Sequence, residues 1–182
     1  RDSLPGELIG KGKAKNWRAD EACWLLPLPF PFPFYGTDRA MVYVSSNGYL
    51  DFADARPDPE NHPAKLVHAT RIAPLWDDLD TTAGNIYVHQ PSKESVCIRW
   101  QARRWQWDGQ GPPVNFEVIL YRDGRIRFQY GSGNTGLSPT VGLAVGNGWR
   151  HDLSAWYNGA TNLAAAPSLT FVPLGPNPIL VY

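Results

Sequence analysis

The chain has 182 residues, 17 acidic and 17 basic residues, and a formal net charge of zero. That length suits a single domain over residues 1–182. With this charge balance the chain lacks the overall positive charge that is typical of proteins that bind nucleic acid or an anionic membrane. No stretch approaches the roughly 20 apolar residues of a membrane span, so we expect no membrane insertion. The 17 prolines and 17 glycines disfavour helix and predict a β-rich protein.

The first patterned segment is "LPLPFPFPFYG", from Leu26 to Gly36. Proline removes a backbone donor and biases the preceding residue towards extended geometry, so this segment is not helix. Its even positions, from Leu28 to Phe34, then point to one side. We interpret it as an edge strand that lays a row of phenyl rings onto the core. A proline-rich ligand for a partner domain is the alternative. The preceding "GKGKAK" (10–15) is interpreted as a solvated loop.

Two hairpins are predicted on either side of the centre of the chain. In "AMVYVSSNGYLDF" (40–52), Asn47-Gly48 is suited to the positive φ angles of a type I′ turn. In "VNFEVILYRDGRIRFQYG" (114–131), the turn falls at Asp123-Gly124, and the apolar residues of both arms alternate. A long polar loop (54–66) separates the first hairpin from the central strands.

Three clustered acids follow Trp76 in "RIAPLWDDLDTTAGNIYV": Asp77, Asp78 and Asp80. Alternate residues of a strand lie about 7 Å apart, a separation at which two carboxylates can serve glycoside hydrolysis. Clustered aspartates with loop carbonyls also suit Ca²⁺, so these three are the predicted metal ligands. The leading interpretation is structural: the aspartates cap a turn and accept backbone N–H groups.

The strand "ESVCIRWQARRWQW" (94–107) places Val96, Ile98, Trp100 and Ala102 on one face and Cys97, Arg99, Gln101 and Arg103 on the other. Continued alternation adds Trp105 and Trp107 to the arginine face. Exposed indoles there can stack on sugars or anchor a protein partner. Arg103, Trp105, Trp107 and Trp149 are therefore the candidate ligand-binding residues. Packing of both indoles under the following loop is the favoured alternative.

Further short strands are predicted at "NIYVHQ", "TVGLAVGNG", "SLTFVPL" and "PILVY", and "TNLAAAP" carries a faint helix signal. "GSGNTG" (131–136) matches the spacing of a dinucleotide-binding loop, but a proline-interrupted loop and a strand follow it instead of a helix. The sequence predicts nine or ten strands in an all-β, two-sheet antiparallel sandwich of jelly-roll-like or Greek-key type. A closed barrel is the alternative.

The two cysteines, Cys23 and Cys97, are predicted to form a disulfide if the protein is secreted, and two buried free thiols are the alternative. The four histidines lack the spacing of a zinc site. Apart from calcium, no cofactor is expected.

The order of these signals resembles the NIDO domain, the extracellular module named from nidogen. The segments that carry the resemblance are "LPFPFPFYG", "MVYVSSNGYLDF", "RIAPLWDDLDTTAGNIYV", "NFEVILYRDGRIRFQYG" and "TVGLAVGNG", and the resemblance covers roughly residues 27–148. Leu75 stands where that family usually has Phe, and Asp77 where a small residue is common. Similar modules occur in bacterial surface proteins, and the absence of any N-x-S/T sequon favours a prokaryotic relative.

The resemblance implies an extracellular or cell-surface, non-catalytic module of a larger adhesive or matrix protein, acting through a protein partner or self-assembly. It carries over no catalytic residue. Two rival functions come from the residues themselves. One is a carbohydrate-binding module that uses the exposed tryptophans, and the other is a glycoside-active enzyme that uses Asp77, Asp78 and Asp80.

Overall fold

The computed structural model describes residues 12–175 and 177–181, and these form two antiparallel β-sheets that pack face to face. The strands are β1 (Lys13–Ala14), β2 (Cys23–Phe34), β3 (Thr37–Ser45), β4 (Leu50–Asp51), β5 (Thr70–Trp76), β6 (Leu79–Ser92), β7 (Ser95–Arg104), β8 (Pro113–Tyr121), β9 (Ile126–Tyr130), β10 (Thr140–Val145), β11 (His151–Leu153), β12 (Leu169–Leu174) and β13 (Asn177–Val181). The described residues contain one helix, the single turn α1 (Pro63–Leu66). The predicted all-β sandwich is confirmed.

The seven-stranded sheet has the order β1-β6-β7-β8-β9-β12-β13, and the six-stranded sheet has the order β11-β10-β5-β4-β3-β2. The chain therefore enters the six-stranded sheet with β2 to β5, crosses to build most of the other sheet, and returns for β10 and β11. Of the segment 10–15, residues 10 and 11 lie outside the described part of the chain. Lys13 and Ala14 pair with β6, which corrects the loop predicted for them.

The main core lies between the sheets and consists of the inward-facing residues of both. The predicted alternation is confirmed in β7, where Val96, Ile98, Trp100 and Ala102 all face the core. The hairpin of β8 and β9 is also confirmed, and Gly124 takes a φ of 93° in its turn. Burial of these apolar side chains is the main favourable term in the stability of such a sandwich.

Strand β2 confirms the prediction for the Pro-Phe segment. Among the described strands, it forms one edge of the six-stranded sheet and pairs with β3. Phe30, Phe32 and Phe34 are each at most 3% exposed, and Phe32 and Phe34 stack with their ring centroids 6.3 Å apart. This arrangement is typical of core residues and gives no support to the proline-rich-ligand alternative.

A second apolar cluster covers the outer face of the six-stranded sheet. Tyr49 and Trp76 pack there with Leu66 of α1, and the Trp76 indole donates a hydrogen bond to the Asp58 carbonyl at 2.7 Å. The segment 54–66, predicted as a loop, thus contains α1 and covers this face. The faint helix signal of residues 161–167 is wrong, because that segment forms turns without a helix.

The turn of the first hairpin also differs from the prediction. Gly48 has a φ of 80°, but Asn47 is not among the residues with positive φ, so the turn is not type I′. Asn47 is fully buried, and its side-chain oxygen accepts a hydrogen bond from Leu79 N at 3.0 Å. Hydrogen bonds to distant parts of the chain therefore hold Asn47 in a conformation that differs from the one expected for a type I′ turn.

The predicted Cys23–Cys97 disulfide is wrong, because both cysteines are free thiols. Cys23 lies in the six-stranded sheet and Cys97 in the seven-stranded sheet. The neighbours of Cys97 in sequence, Val96 and Ile98, face the core, so Cys97 points to the outer face of its own sheet. There its Sγ donates to the Glu117 carboxylate at 2.8 Å, and burial raises the pKa of the thiol well above its ordinary value.

Candidate functional site

The turn between β5 and β6 holds the three aspartates predicted from the sequence. Asp77 is 2% exposed, and its carboxylate accepts hydrogen bonds from Ser138 N at 2.8 Å and Asp78 N at 2.9 Å. The Arg104 guanidinium lies 3.6 Å from the same carboxylate. Asp80 accepts from Thr82 N at 2.8 Å. The turn-capping interpretation is confirmed for Asp77 and Asp80.

The side chain of Asp78 belongs to a different group of acids. Its carboxylate and those of Asp20 and Glu21 lie within 4.8 Å of one another, and these three residues form what we call the acidic cluster. Two of them come from the segment before β2 and one from the β5–β6 turn. The structure thus joins one of the three predicted metal ligands to two acids that the sequence analysis missed.

The segment before β2 is held in place by the turn between β3 and β4. The Ser46 hydroxyl accepts from Ala22 N at 3.1 Å and donates to the Asp20 carbonyl at 2.7 Å. The Asn47 amide donates to the Glu21 carboxylate at 3.0 Å. Nothing in the local pattern of "RADEACW" connects these acids to the WDDLD segment, because the contact depends on how the strands pack.

Mutual repulsion and partial burial alter the acidity of the cluster. Burial, with smaller contributions from Asp20 and Asp78, raises the pKa of Glu21 to about 7, against the hydrogen bond from Asn47. Burial and then neighbouring carboxylates also raise the pKa of Asp78 and of Asp20. A hard cation such as Ca²⁺ prefers such oxygen ligands and would relieve this repulsion. The acidic cluster is therefore the group of described residues best placed to hold the predicted calcium ion.

The acidic cluster adjoins the loop between β7 and β8, residues 105–112, which we call the tryptophan loop. Trp105 N donates to the Asp78 carbonyl at 2.7 Å, and the Trp105 side chain lowers the pKa of Asp20 against the larger effect of burial. Two candidate sites that the sequence treats separately, the acids and the tryptophans, are thus adjacent.

Both indoles of the tryptophan loop are exposed, Trp105 by 43% and Trp107 by 84%. The predicted packing of these side chains under the loop is wrong. The physical reason is that β7 ends at Arg104 and the chain then leaves the sheet, so neither face of the sheet covers Trp107. Arg103 lies at the base of this loop, and its guanidinium donates to the Gly111 carbonyl at 2.9 Å.

Trp149 is 86% exposed, but it lies in the turn between β10 and β11, where Gly148 N donates to the Val67 carbonyl. That turn is next to the beginning of β5, whereas the acidic cluster lies just beyond its end. A strand of seven residues spans about 20 Å, so the structure does not bring Trp149 into one platform with the tryptophan loop.

A model of the NIDO-related family matches residues 7–172 of the chain. The chain belongs to the NIDO-related family. The resemblance read from the ordered motifs is confirmed, and the matched range extends beyond residues 27–148 at both ends. The prokaryotic origin stays a prediction. No curated protein and no solved structure matches this NIDO-related chain.

Membership of the NIDO-related family indicates an extracellular-type domain. Within the described residues, no helix has the length and apolar character required to cross a bilayer.

Proposed function

We propose that this NIDO-related domain is a non-catalytic adhesion or assembly module of a larger secreted or surface protein, and that it acts through protein contacts. The observation that carries this proposal is the tryptophan loop, which presents Trp107 with 84% of its surface open to solvent. Tryptophan is enriched among the few residues that dominate binding energy at protein interfaces, because a rigid indole buries a large apolar area.

The loop is held in shape before any partner arrives. Arg104 N donates to the Pro112 carbonyl at 2.9 Å and closes the base of the loop. Gly109 N donates to the Gln106 carbonyl, and Gln110 N donates to the Asp108 carboxylate at 2.9 Å. A preorganised loop loses less conformational entropy on binding, so the exposed indole is suited to act as an anchor.

The hydrogen bonds that the aspartates after Trp76 accept support the non-catalytic part of the proposal. The oxygens of Asp77 are occupied by backbone donors, and Asp80 caps the backbone at Thr82. A glycosidase requires two carboxylates that face a substrate across a cleft. Asp78 and Asp80 are both partly exposed, and the carboxylate of Asp78 lies with those of Asp20 and Glu21 in the acidic cluster on the surface.

The test is binding of the purified domain to an immobilised panel of extracellular matrix and cell-surface proteins, with the domain itself included. We expect saturable binding to at least one protein, weakened about tenfold or more by Trp107→Ala, as for a typical interface anchor. Trp156→Ala is the matched control, because Trp156 is 76% exposed but lies in a different loop. Absence of saturable binding, or equal loss in both variants, would exclude the proposal.

Carbohydrate binding is the second candidate, because Trp105 and Trp107 are both exposed in the loop that follows β7. An indole face can stack on a sugar ring. Enzymatic removal of glycans from the immobilised proteins distinguishes the two functions. Binding that persists after deglycosylation supports protein contacts, and binding that disappears supports the carbohydrate function.

A further inference from the structure

A cavity of about 370 Å³ opens on the outer face of the seven-stranded sheet, beside the base of the tryptophan loop. Its volume lies within the range of small-molecule sites, roughly 300–1,000 Å³. The residues that give the cavity its chemistry are Arg18, Gly84, Tyr87, Gln101, Arg103 and Pro113.

The cavity arises from an irregularity in the pairing of β6 with β7. Asp80 pairs with Arg103, but the next registered pair is Asn85 with Gln101, so β6 bulges between them. Gly84 is required at the floor of this bulge, since a Cβ there would lie 1.8 Å from the Gln101 carbonyl oxygen. Bulges and strand glycines often mark places where a sheet is shaped for a ligand.

Two guanidinium groups converge on the cavity. Arg18 Nε donates to the Gly84 carbonyl at 2.9 Å, and Arg103 Nη1 donates to the Gly111 carbonyl at 2.9 Å. Each bond fixes the guanidinium and leaves other N–H groups of the fork for an anion. None of the described residues that line the cavity carries a carboxylate. Asp80, the strand neighbour of Arg103, directs its carboxylate to Thr82 N.

The other polar groups suit a hydroxyl-rich molecule. The Gln101 side chain is exposed and offers both an amide donor and an acceptor. The Tyr87 ring is steadied by the Arg99 guanidinium, 4.2 Å from the ring centroid. A lone carboxylate side chain would fill only part of 370 Å³. We propose that this cavity binds an acidic saccharide, with the sugar carboxylate held by Arg18 and Arg103 and the ring hydroxyls by Gln101 and Tyr87. This inference goes beyond the protein-contact function and does not depend on it.

The test is titration of the isotope-labelled domain with methyl glucuronide, followed by NMR. We expect saturable shifts for backbone amides of residues 83–87 and 101–103. Neutral methyl glucoside should bind about tenfold more weakly or worse, because it cannot form the charge-assisted bonds to arginine. Arg18→Gln and Arg103→Gln should each weaken binding of methyl glucuronide by about tenfold. Trp107→Ala, which disables the proposed protein contact, should leave it unchanged.

Arg122→Gln is the matched control, since it removes the same charge from an exposed arginine that pairs with Glu94. N-acetylglutamate tests whether the carboxylate of a peptide serves as well as that of a sugar. Equal binding of methyl glucoside, unchanged binding in both pocket variants, or equal binding of N-acetylglutamate would overturn the proposal. If a variant misfolds, the comparison of the two methyl glycosides on the unaltered domain still decides it.

Discussion

The buried ion pair between Asp51 and Arg71 shows how much the stability of this fold can depend on a single charged residue. Arg71 Nε lies 2.8 Å from the Asp51 carboxylate, and the two side chains are 6% and 1% exposed. The guanidinium also stacks over Tyr49, 3.8 Å from its ring centroid. Removal of one partner leaves the other charge buried and unpaired, which is more costly than the loss of a surface pair.

We therefore expect Asp51→Asn to lower the free energy of unfolding by about 3 kcal/mol, measured by urea denaturation. Asp54→Asn is the matched control, because Asp54 pairs with an Arg56 side chain that is 88% exposed. That change should cost less than about 1 kcal/mol. Similar costs for the two variants would contradict the importance assigned to burial.

Glu21 gives the acidic cluster a predictable pH dependence. Its pKa is raised from 4.5 in the unfolded reference to about 7 in the folded domain. Between these values the folded state binds more protons than the unfolded state, so the free energy of unfolding falls as the pH rises from about 4.5 to about 7. The substitution Glu21→Gln removes this pH-dependent loss of stability. It should stabilise the domain at pH 8, by less than about 1 kcal/mol because the side chain is only partly buried and solvent screens its charge, and should have no effect at pH 4.

Thermal melts of the wild type and Glu21→Gln across this pH range are the measurement. Glu94→Gln, an exposed acid outside the cluster, should show no such pH-dependent gain. A constant difference between wild type and Glu21→Gln at every pH would argue against a raised pKa.

Calcium is expected to stabilise the domain through the same cluster. With an affinity of about 1 mM, typical of extracellular modules, about 10 mM Ca²⁺ would raise the free energy of unfolding by about 1.4 kcal/mol. The measurement is the melting midpoint with calcium and with chelator. Asp78→Asn should abolish the difference, whereas Asp77→Asn should retain it while lowering overall stability. An unchanged midpoint in the wild type would remove the calcium prediction.

At the scale of elements, β2 protects an open sheet edge with proline. Pro27 pairs with Met41 and Pro33 pairs with Asp38 on β3. A residue without an N–H cannot join the pairs that exchange two hydrogen bonds, so the ring nitrogens of both prolines face the open edge. At these two positions the edge lacks a donor for another strand, a common protection against edge-to-edge aggregation.

The double variant Pro27→Thr/Pro33→Thr restores two donors to this edge. We expect greater concentration-dependent self-association, measured by sedimentation velocity, because the edge becomes available for strand addition. Pro91→Thr, at the exposed end of the interior strand β6, serves as the control, and its self-association should equal that of the wild type. Equal self-association of the double variant and the wild type would show that the prolines do not protect the edge.

At the scale of the whole molecule, the two sheets keep the cysteines apart. Reduction should leave the melting midpoint unchanged, because there is no cross-link to break. Alkylation of the native domain should modify Cys23 faster than the buried Cys97, and both should react after unfolding. Intact mass spectrometry provides the measurement. A mass short by two hydrogens, or a midpoint lowered by reductant, would contradict the separation seen here.

The sequence by itself determined the β-sandwich, the inward faces of β7, β8 and β9, and the row of phenyl rings on β2. These features follow from strand alternation and from proline and glycine chemistry, which act between neighbours in the chain. The capping roles of Asp77 and Asp80 were also predictable, because an aspartate beside a turn finds backbone donors close by.

Only the tertiary structure decided which distant residues meet. It joined Asp20 and Glu21 to Asp78, left Trp107 uncovered, separated Cys23 from Cys97, and turned Asn47 inward. It also opened the arginine-lined cavity, through a bulge that alternation cannot reveal. The physical reason is that sheet register, strand ends and packing of the two layers depend on contacts between residues far apart in the chain, and local periodicity does not encode these contacts.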